Sequence, residues 1–450
     1  MNNCNEITSA LTYEQMNIWQ LHIDNPGLPL FNANYLFHVK SGFECDYFVQ
    51  ALRLVISRHG GLSSRFGGDT EHAMQYGPSE TEDKISDFVY LFEQAEDLKE
   101  AHDIIKMRSV VPFRLNLASP IRADIVPMAN SEFLVNITVH QIVCDCWSAS
   151  LFFEELSSYY NLLSDNQQIV VADNAASYLR FSLWQKEQQQ QEKAKTNKLY
   201  WLNYLRGVDS HLELSAYKDL SDNAPFSGGV AIKTIAENTH SQVCALAKHY
   251  AVTPYSLYMT LFAAFLQRCT RQNDFCLSYP SSNRNMPESD EILGLFTRLL
   301  PVRFTFGAES SLKEMALKAY ESLLDNSEHD LCCMADIVRE AGADDAMRPF
   351  GLFKVVFGQI GRVNHGLALK NTNIEQLPVH TGYTKTDLLV MLDLHSIQPA
   401  VFIEFSSKNF SDKTITTLWQ DFMHFLESVL NHHRQISNNV EDTESVAFIV

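Results

Sequence analysis

One stretch limits what this chain can fold into more than any other. Residues 131–163, "SEFLVNITVHQIVCDCWSASLFFEELSSYYNLL", set an apolar, β-branched run almost directly against an amphipathic one. Leu134, Val135, Ile137 and Val139 predict a buried strand that ends at His140. After Ser148 the Phe, Leu and Tyr positions recur at helical spacing, so a helix follows, with Ser148 as its expected N-cap. A strand feeding a helix through so short a turn belongs to an α/β protein. It also crowds His140, Gln141, Asp145, Trp147 and Ser148 into that one turn.

The rest of the chain repeats the style. "LTYEQMNIWQLHI" predicts a helix with Thr12 as N-cap. "NANYLFHVKSG" alternates as a strand, and "DYFVQALRLVISRHGGL" is a second amphipathic helix ended by a glycine pair. "PIRADIVPM" and "SEFLVNITVH" read as neighbouring strands that meet near Met128–Ser131. Residues 166–198 are polar and Gln-rich, but Tyr178, Phe181 and Trp184 keep a helical stripe, so a bridging helix is expected there. Further on come a helix "SLYMTLFAAFLQRC", strands "DFCLSYP", "LPVRFTF", "LFKVVFGQI", "DLLVMLDLH" and "AVFIEFSS", and a helix "TTLWQDFMHFLESVL". Similar element content in both halves predicts two α/β lobes, residues 1–170 and 171–450.

Charge narrows the partners. Lys and Arg number 35 against 54 Asp and Glu, a net charge of −19, which repels phosphate backbones; nucleic acid and anionic membrane are not expected partners. No apolar stretch approaches the roughly 18–20 residues that span a bilayer. The start "MNNCNEITSALTYEQ" lacks the basic and apolar regions of a signal peptide, and a cytoplasmic protein, monomeric, is expected. Nine cysteines, scattered through apolar segments, read as reduced core thiols. Neither Cys144-x-Cys146 nor Cys332-Cys333 is matched by a second cluster at zinc spacing, so no metal is expected.

The turn after His140 has the layout of an acyl-transfer site. Such a site needs a nucleophile, a destination for its proton and support for the oxyanion. An imidazole at a strand's end can face a reacting group, and an Asp a few residues on can hold the turn through a distant Arg. At this point the chain resembles the condensation domains of non-ribosomal peptide synthetases, within the chloramphenicol-acetyltransferase-like superfamily. Their signature HHxxxDG, followed by Trp/Val-Ser, is similar to His140-Gln141-Ile142-Val143-Cys144-Asp145-Cys146-Trp147-Ser148. The resemblance extends along the chain. It includes Gln15 and Trp19 in the opening helix, Arg58, His59, Leu62 and Phe66 in "SRHGGLSSRF", and Tyr200, Trp201, Leu205 and Gly207 in "YWLNYLRG". Pro280, Arg284, Gly294, Phe296, Pro301 and Arg303 match the long later segment, and "RPFGLFKVVFGQ" and "TKTDLLVML" the last motifs.

The resemblance implies two acetyltransferase-like lobes in a V shape around a central tunnel. It implies carrier proteins, acyl or peptidyl, delivering donor and acceptor on 4'-phosphopantetheine arms, with no cofactor bound by the chain itself. In the family the second histidine of the signature is catalytic; the first histidine and the Asp shape the loop, the Asp pairing with the residue aligned to Arg284. Here Gln141 replaces that histidine, Cys146 replaces the glycine, and Arg298 stands where the family has Asn. Gly60 and Ser63 also depart from the earlier turn. A Gln amide takes no proton near pH 7 but donates and accepts hydrogen bonds; losing a general base costs about 10²–10⁴-fold. A neutral amine attacks a thioester without prior deprotonation, whereas an alcohol does not.

The site expected from the sequence is therefore His140, Gln141, Asp145, Trp147 and Ser148 for chemistry, Arg284 with Asp145 for support, and Arg298 and Cys146 toward substrate. His140 reads as a loop organiser, and Arg298 equally as a surface ion pair. Cys144 or Cys146 as an acyl-bearing nucleophile is the weaker reading. Two functions remain. One is a stand-alone condensing acyltransferase acting in trans, forming an amide rather than an ester in peptide or polyketide biosynthesis. The other is a catalytically impaired scaffold that binds carriers and recruits or gates other enzymes. The acidic-then-apolar tail "NNVEDTESVAFIV" is expected to fray.

Overall fold

The structure, a computed structural model, describes residues 8–69, 72–77, 88–171, 177–208, 212–219, 221, 223–307, 310–342, 354–361 and 366–439. The apolar tail, residues 348–353 of one matched motif and residues 172–176 of the expected bridge lie outside them. In chain order the first elements are β1 (Thr8–Ala10), α1 (Tyr13–Asp24), β2 (Asn32–Ser41), α2 (Cys45–Arg58), β3 (Arg65–Gly67), β4 (Met74–Tyr76) and β5 (Val89–Leu91). Then come α3 (Leu98–Ser109), β6 (Ile121–Pro127), β7 (Phe133–His140), α4 (Cys146–Ser164), α5 (Ser177–Gln189) and α6 (Glu192–Tyr204). They are followed by β8 (Gly228–Thr234), α7 (Glu237–His249), α8 (Pro254–Thr270), β9 (Asp274–Ser281), β10 (Arg298–Thr305), α9 (Leu312–Glu328) and α10 (Met334–Glu340). The last are β11 (Val355–Gln359), β12 (Asn373–Leu377), β13 (Leu388–Asp393), β14 (Ala400–Ser406) and α11 (Asp412–Asn439).

Two compact units result. The first gathers Met1–Gln190, Arg284–Thr297 and Val363–Thr381; the second gathers Gln191–Asn283, Arg298–Arg362 and Gly382–Val450. No single cut in the sequence, such as one at 170/171, can express this division. The physical reason is that two later segments bond into the first unit: β12 pairs with β2, and the backbone around 294–297 binds a carboxylate of the first unit, described below.

In the first unit a sheet of order β12-β2-β7-β6-β5 is antiparallel except for the β5–β6 pair. Its inward side chains follow the period-2 pattern. Tyr35 and Phe37 meet Phe153 of α4 on one face, while Leu36, Val126 and Leu134 pack with Ala101 and Ile105 of α3 on the other. A small sheet β1-β4-β3 stands apart from it. In the second unit a six-stranded sheet, β10-β9-β11-β13-β14-β8, mixes parallel pairs at its centre with antiparallel flanks. Helix α8 is buried from Ser256 through Leu266, with Phe422 and Leu426 of α11 in the same core. Thr253 caps α8, Pro254 occupies its first turn, and Arg271 ends it in a left-handed conformation (φ 62), the asymmetry expected of helix ends.

Three local expectations change. Thr12 does cap α1, in a capping box with Gln15, but α4 is capped by Asp145, not Ser148. Asp145 accepts from the Ser148 amide; Ser148 is the third residue inside the helix, and its hydroxyl is used elsewhere. Helix α2 ends before the glycine pair, yet neither Gly60 nor Gly61 is left-handed; they open a 3₁₀ turn, Gly60–Ser63. The expected bridging helix is two helices that break at Gln190–Gln191, where Gln191 takes extended backbone (ψ 156) as the cap of α6. The Tyr178–Phe181–Trp184 stripe is real and packs on Ile292 and Phe296.

Candidate functional site

The end of β7 delivers His140 into a 3₁₀ turn, Gln141–Val143, that leads to the Asp145 cap and α4. His140 is 2% exposed. Its Nδ1 accepts a hydrogen bond from the Ile142 amide at 3.2 Å, and its own amide donates to the Pro120 carbonyl. With Nδ1 so engaged, the ring caps the turn as expected of a loop organiser. Phe31, Phe113 and His22 surround it at ring-centroid distances of 5.7, 5.8 and 5.3 Å. The Gln141 backbone N–H donates to the Phe31 carbonyl. The turn is held from below by Gln15, fully buried, whose Nε2 donates to the Ile142 carbonyl and to Gln75 Oε1, both at 3.1 Å.

Asp145 is the centre of the node. One carboxylate oxygen accepts from the Ser148 amide at 2.8 Å and from Arg284 Nη2 at 3.1 Å. The other accepts from the amides of Phe296 and Thr297 at 3.0 and 3.1 Å and from the Thr297 hydroxyl at 3.2 Å. The pair is dry, its side chains 2% and 3% exposed. Ser148 completes the lock: its hydroxyl donates to the Gly294 carbonyl at 2.7 Å and accepts from the Gly294 amide and Arg284. Arg284 further donates to the carbonyls of Ser289 and Ile292 and lies over the Phe296 ring at 4.1 Å, a cation–π geometry. Gly294 is required by space: a Cβ there would stand 1.9 Å from the Tyr178 ring.

Trp147 is 43% exposed; its Nε1 donates to the Asp290 carbonyl at 3.0 Å, and its ring faces Arg284 at 5.6 Å. Cys146 is exposed as the first residue of α4. Its φ is not left-handed, so the backbone does not demand the family's glycine here. Cys144 is buried, and burial, then the neighbouring Asp145, holds its thiol well above the usual range; a thiol kept protonated is a poor nucleophile. Arg298 is buried in the second unit, 8% exposed, where its guanidinium donates to the carbonyls of Asp330 and Cys332. The structure thus brings His140, Asp145, Trp147 and Ser148 together on one turn, with Arg284 bonded to it from the segment after β9, and gives Arg298 a loop-holding place.

Sequence reasoning attached no role to His22, and only a motif match to Gln15, Gly294 and Phe296. It also missed a buried polar row on the α3 face of the sheet. There Arg108 binds Asp124 at 2.8 Å, Thr138 and Asn136 bond Asn34, and Arg122 lies over Phe113 at 4.5 Å. Burial raises the Asp124 carboxyl above its ordinary range and lowers Arg122 to about 10. Alternation of Asn136, Thr138 and His140 along β7 was the available signal.

The condensation-domain family model matches residues 5–446, and the chain belongs to the condensation-domain family. A linear gramicidin synthase of Brevibacillus parabrevis is 23% identical over 94% of the chain, and surfactin synthase subunit 2 of Bacillus subtilis (strain 168) 25% over 89%. The chain spans 8% and 11% of those two proteins. Among solved structures, the X-domain from teicoplanin biosynthesis has a TM-score of 0.82 at 18% identity, covering 96% of each chain. The first condensation domain of the CDA synthetase has a TM-score of 0.75 at 18% identity, covering 94% of this chain and 96% of that one. A complex of the X-domain and OxyB has a TM-score of 0.79 at 18% identity, covering 96% and 94%. The fold is therefore the α/β one of two chloramphenicol-acetyltransferase-like lobes. No helix among the described residues is long and apolar enough to cross a membrane.

Proposed function

We propose that the chain is a condensation-type acyltransferase acting on thioesters presented by carrier proteins, and that it forms an amide. The observation that carries this reading is the Asp145–Arg284–Ser148 lock, which builds the turn after His140 in full while position 141 carries a Gln amide. The amine acceptor follows from chemistry: a neutral amine brings its own lone pair, and Gln141 needs only to orient it. Donor and acceptor arrive on phosphopantetheine arms, and the carriers act in trans.

The test is mass spectrometry of separately supplied, loaded carrier proteins mixed with the wild type, Gln141→His and Gln141→Ala. Amide formation is expected in the wild type, equal or faster in Gln141→His, and about tenfold slower in Gln141→Ala, one hydrogen bond of about 1.4 kcal/mol. Ester formation from an alcohol at ordinary enzyme rates, slowed by Gln141→His, would overturn the assignment.

One observation favours a second reading, a binding scaffold. The X-domain is a structural neighbour over nearly the whole chain, and its solved complex holds OxyB. On that reading carriers bind, no variant condenses any donor, and a partner enzyme co-purifies with the carrier-bound chain.

A further inference from the structure

The site holds a second imidazole that the signature does not provide. His22, in the last turn of α1, sets its ring edge-on to His140 at 5.3 Å and 89°. On its other side it stacks on Trp19 at 5.8 Å and 23°, which fixes the ring plane. The two histidines differ in what is left to react. His140 is walled in by Phe31 and Phe113, with Nδ1 bonded to the Ile142 amide. His22 is partly exposed, and among the described residues its ring contacts are these two aromatic ones, with no hydrogen bond or ion pair to either nitrogen. An imidazole with unengaged nitrogens, held rigid beside the signature turn, is placed to accept.

Resting on the condensing reading, we propose that His22 receives the acceptor amine: it accepts a hydrogen bond from the bound amine and takes its proton when the amine attacks. The amine nitrogen forms a bond to the thioester carbonyl carbon, and the carbon–sulfur bond breaks with its electron pair leaving on sulfur. The proton passes from nitrogen to His22 and from the imidazolium to the departing thiolate. Amide and free thiol result, His22 is regenerated, and no further reactant is needed. Burial lowers the affinity of His22 for a proton, so near neutral pH the ring is in its accepting form. Of the groups packed against it, His140 is the titratable neighbour, and Arg122 stands one layer behind, over Phe113. The arrangement explains how position 141 can be Gln: the proton's destination has moved from the turn to α1.

The experiment combines turnover with binding. Single-turnover amide formation is measured for the wild type, His22→Gln and His22→Ala, the last with and without added imidazole. Calorimetry compares an aminoacyl-pantetheine with its des-amino counterpart on the same proteins. Expected is a loss of about 10²-fold in His22→Gln, partial rescue of His22→Ala by imidazole, and about tenfold weaker binding of the amine alone, with melting temperature and des-amino binding unchanged. Equal rates and equal amine binding in His22→Gln would overturn the proposal. If the wild type condenses nothing, the condensing reading and the proton transfer fall together. The calorimetry then decides separately: amine discrimination lost in His22→Gln keeps His22 as the amine's receptor, and discrimination retained removes it.

Discussion

Two arginine–aspartate pairs lie in the motif-bearing segments of the two units, and the shorter one is the less important. Arg303 grips Asp274 with two bonds of 2.6 and 2.7 Å, while Arg284 reaches Asp145 with one of 3.1 Å. Yet Asp274 and Arg303 are 37% and 19% exposed, against 2% and 3% for Asp145 and Arg284. They sit on β9 and β10, strands already joined by a full antiparallel ladder. Asp145, by contrast, also caps α4 and receives the backbone of Phe296 and Thr297. A carboxylate counts for what depends on it, and distance alone is a poor guide: solvent screens the exposed pair, and removing one member of a dry pair leaves an uncompensated charge.

Asp145→Ala is the largest expected effect. It strands Arg284 and three backbone amides, so unfolding in urea should show a loss of about 3–5 kcal/mol, or insoluble protein. A shift no larger than that of the exposed pair would break the comparison. Next comes Gly294→Ala, where the new methyl meets the Tyr178 ring at 1.9 Å. A cost of about 1–3 kcal/mol is expected from overpacking. Adding Tyr178→Leu should return part of it, a coupling that a double-mutant cycle measures; strict additivity would show that the ring is not the obstacle. Asp274→Ala should cost only about 0.2–1 kcal/mol, read from the same urea curves, because the strand ladder survives it.

The sequence announces elements whose pattern is self-contained. Helix α1, with Thr12 and Gln15, and the β6–β7 hairpin carry their own periodicity and turn chemistry, and the Asp145–Arg284 link was legible through the resemblance of the two motifs. What it hides depends on partners far along the chain. Asp145 and Ser148 are both good cap residues, and only the backbone of 294–297 decides between them. β8 opens with two glycines that weaken any strand pattern; they are needed because Cβ atoms there would strike Thr384 and Phe405. β12, "NIEQL", is half polar and becomes a strand by pairing with β2. His22 looks like one more helix residue until folding sets it against His140.

The smallest expected effect separates the units by acid rather than by mutation. Burial lowers the proton affinity of His22 in the first unit and of His240 and His433 in the second, where His249 and His432 add repulsion at His433. For each, the unfolded chain takes up its proton near pH 6.5 and the folded chain only below that. More protons are then bound in the unfolded state, so stability rises with pH in this window and is lost as pH falls from about 6.5 toward the folded values. The melting temperature should therefore be lower at pH 5.5 than at 7.5, by a small amount, because solvent screens these partly exposed rings. His433→Gln should remove part of that fall and leave the part that His22 contributes, and Asp274→Ala should not alter its size, since the exposed pair is distant in role from these rings. A melting temperature that does not change between the two pH values would show that these partly buried imidazoles gain in the folded state what they lose to desolvation.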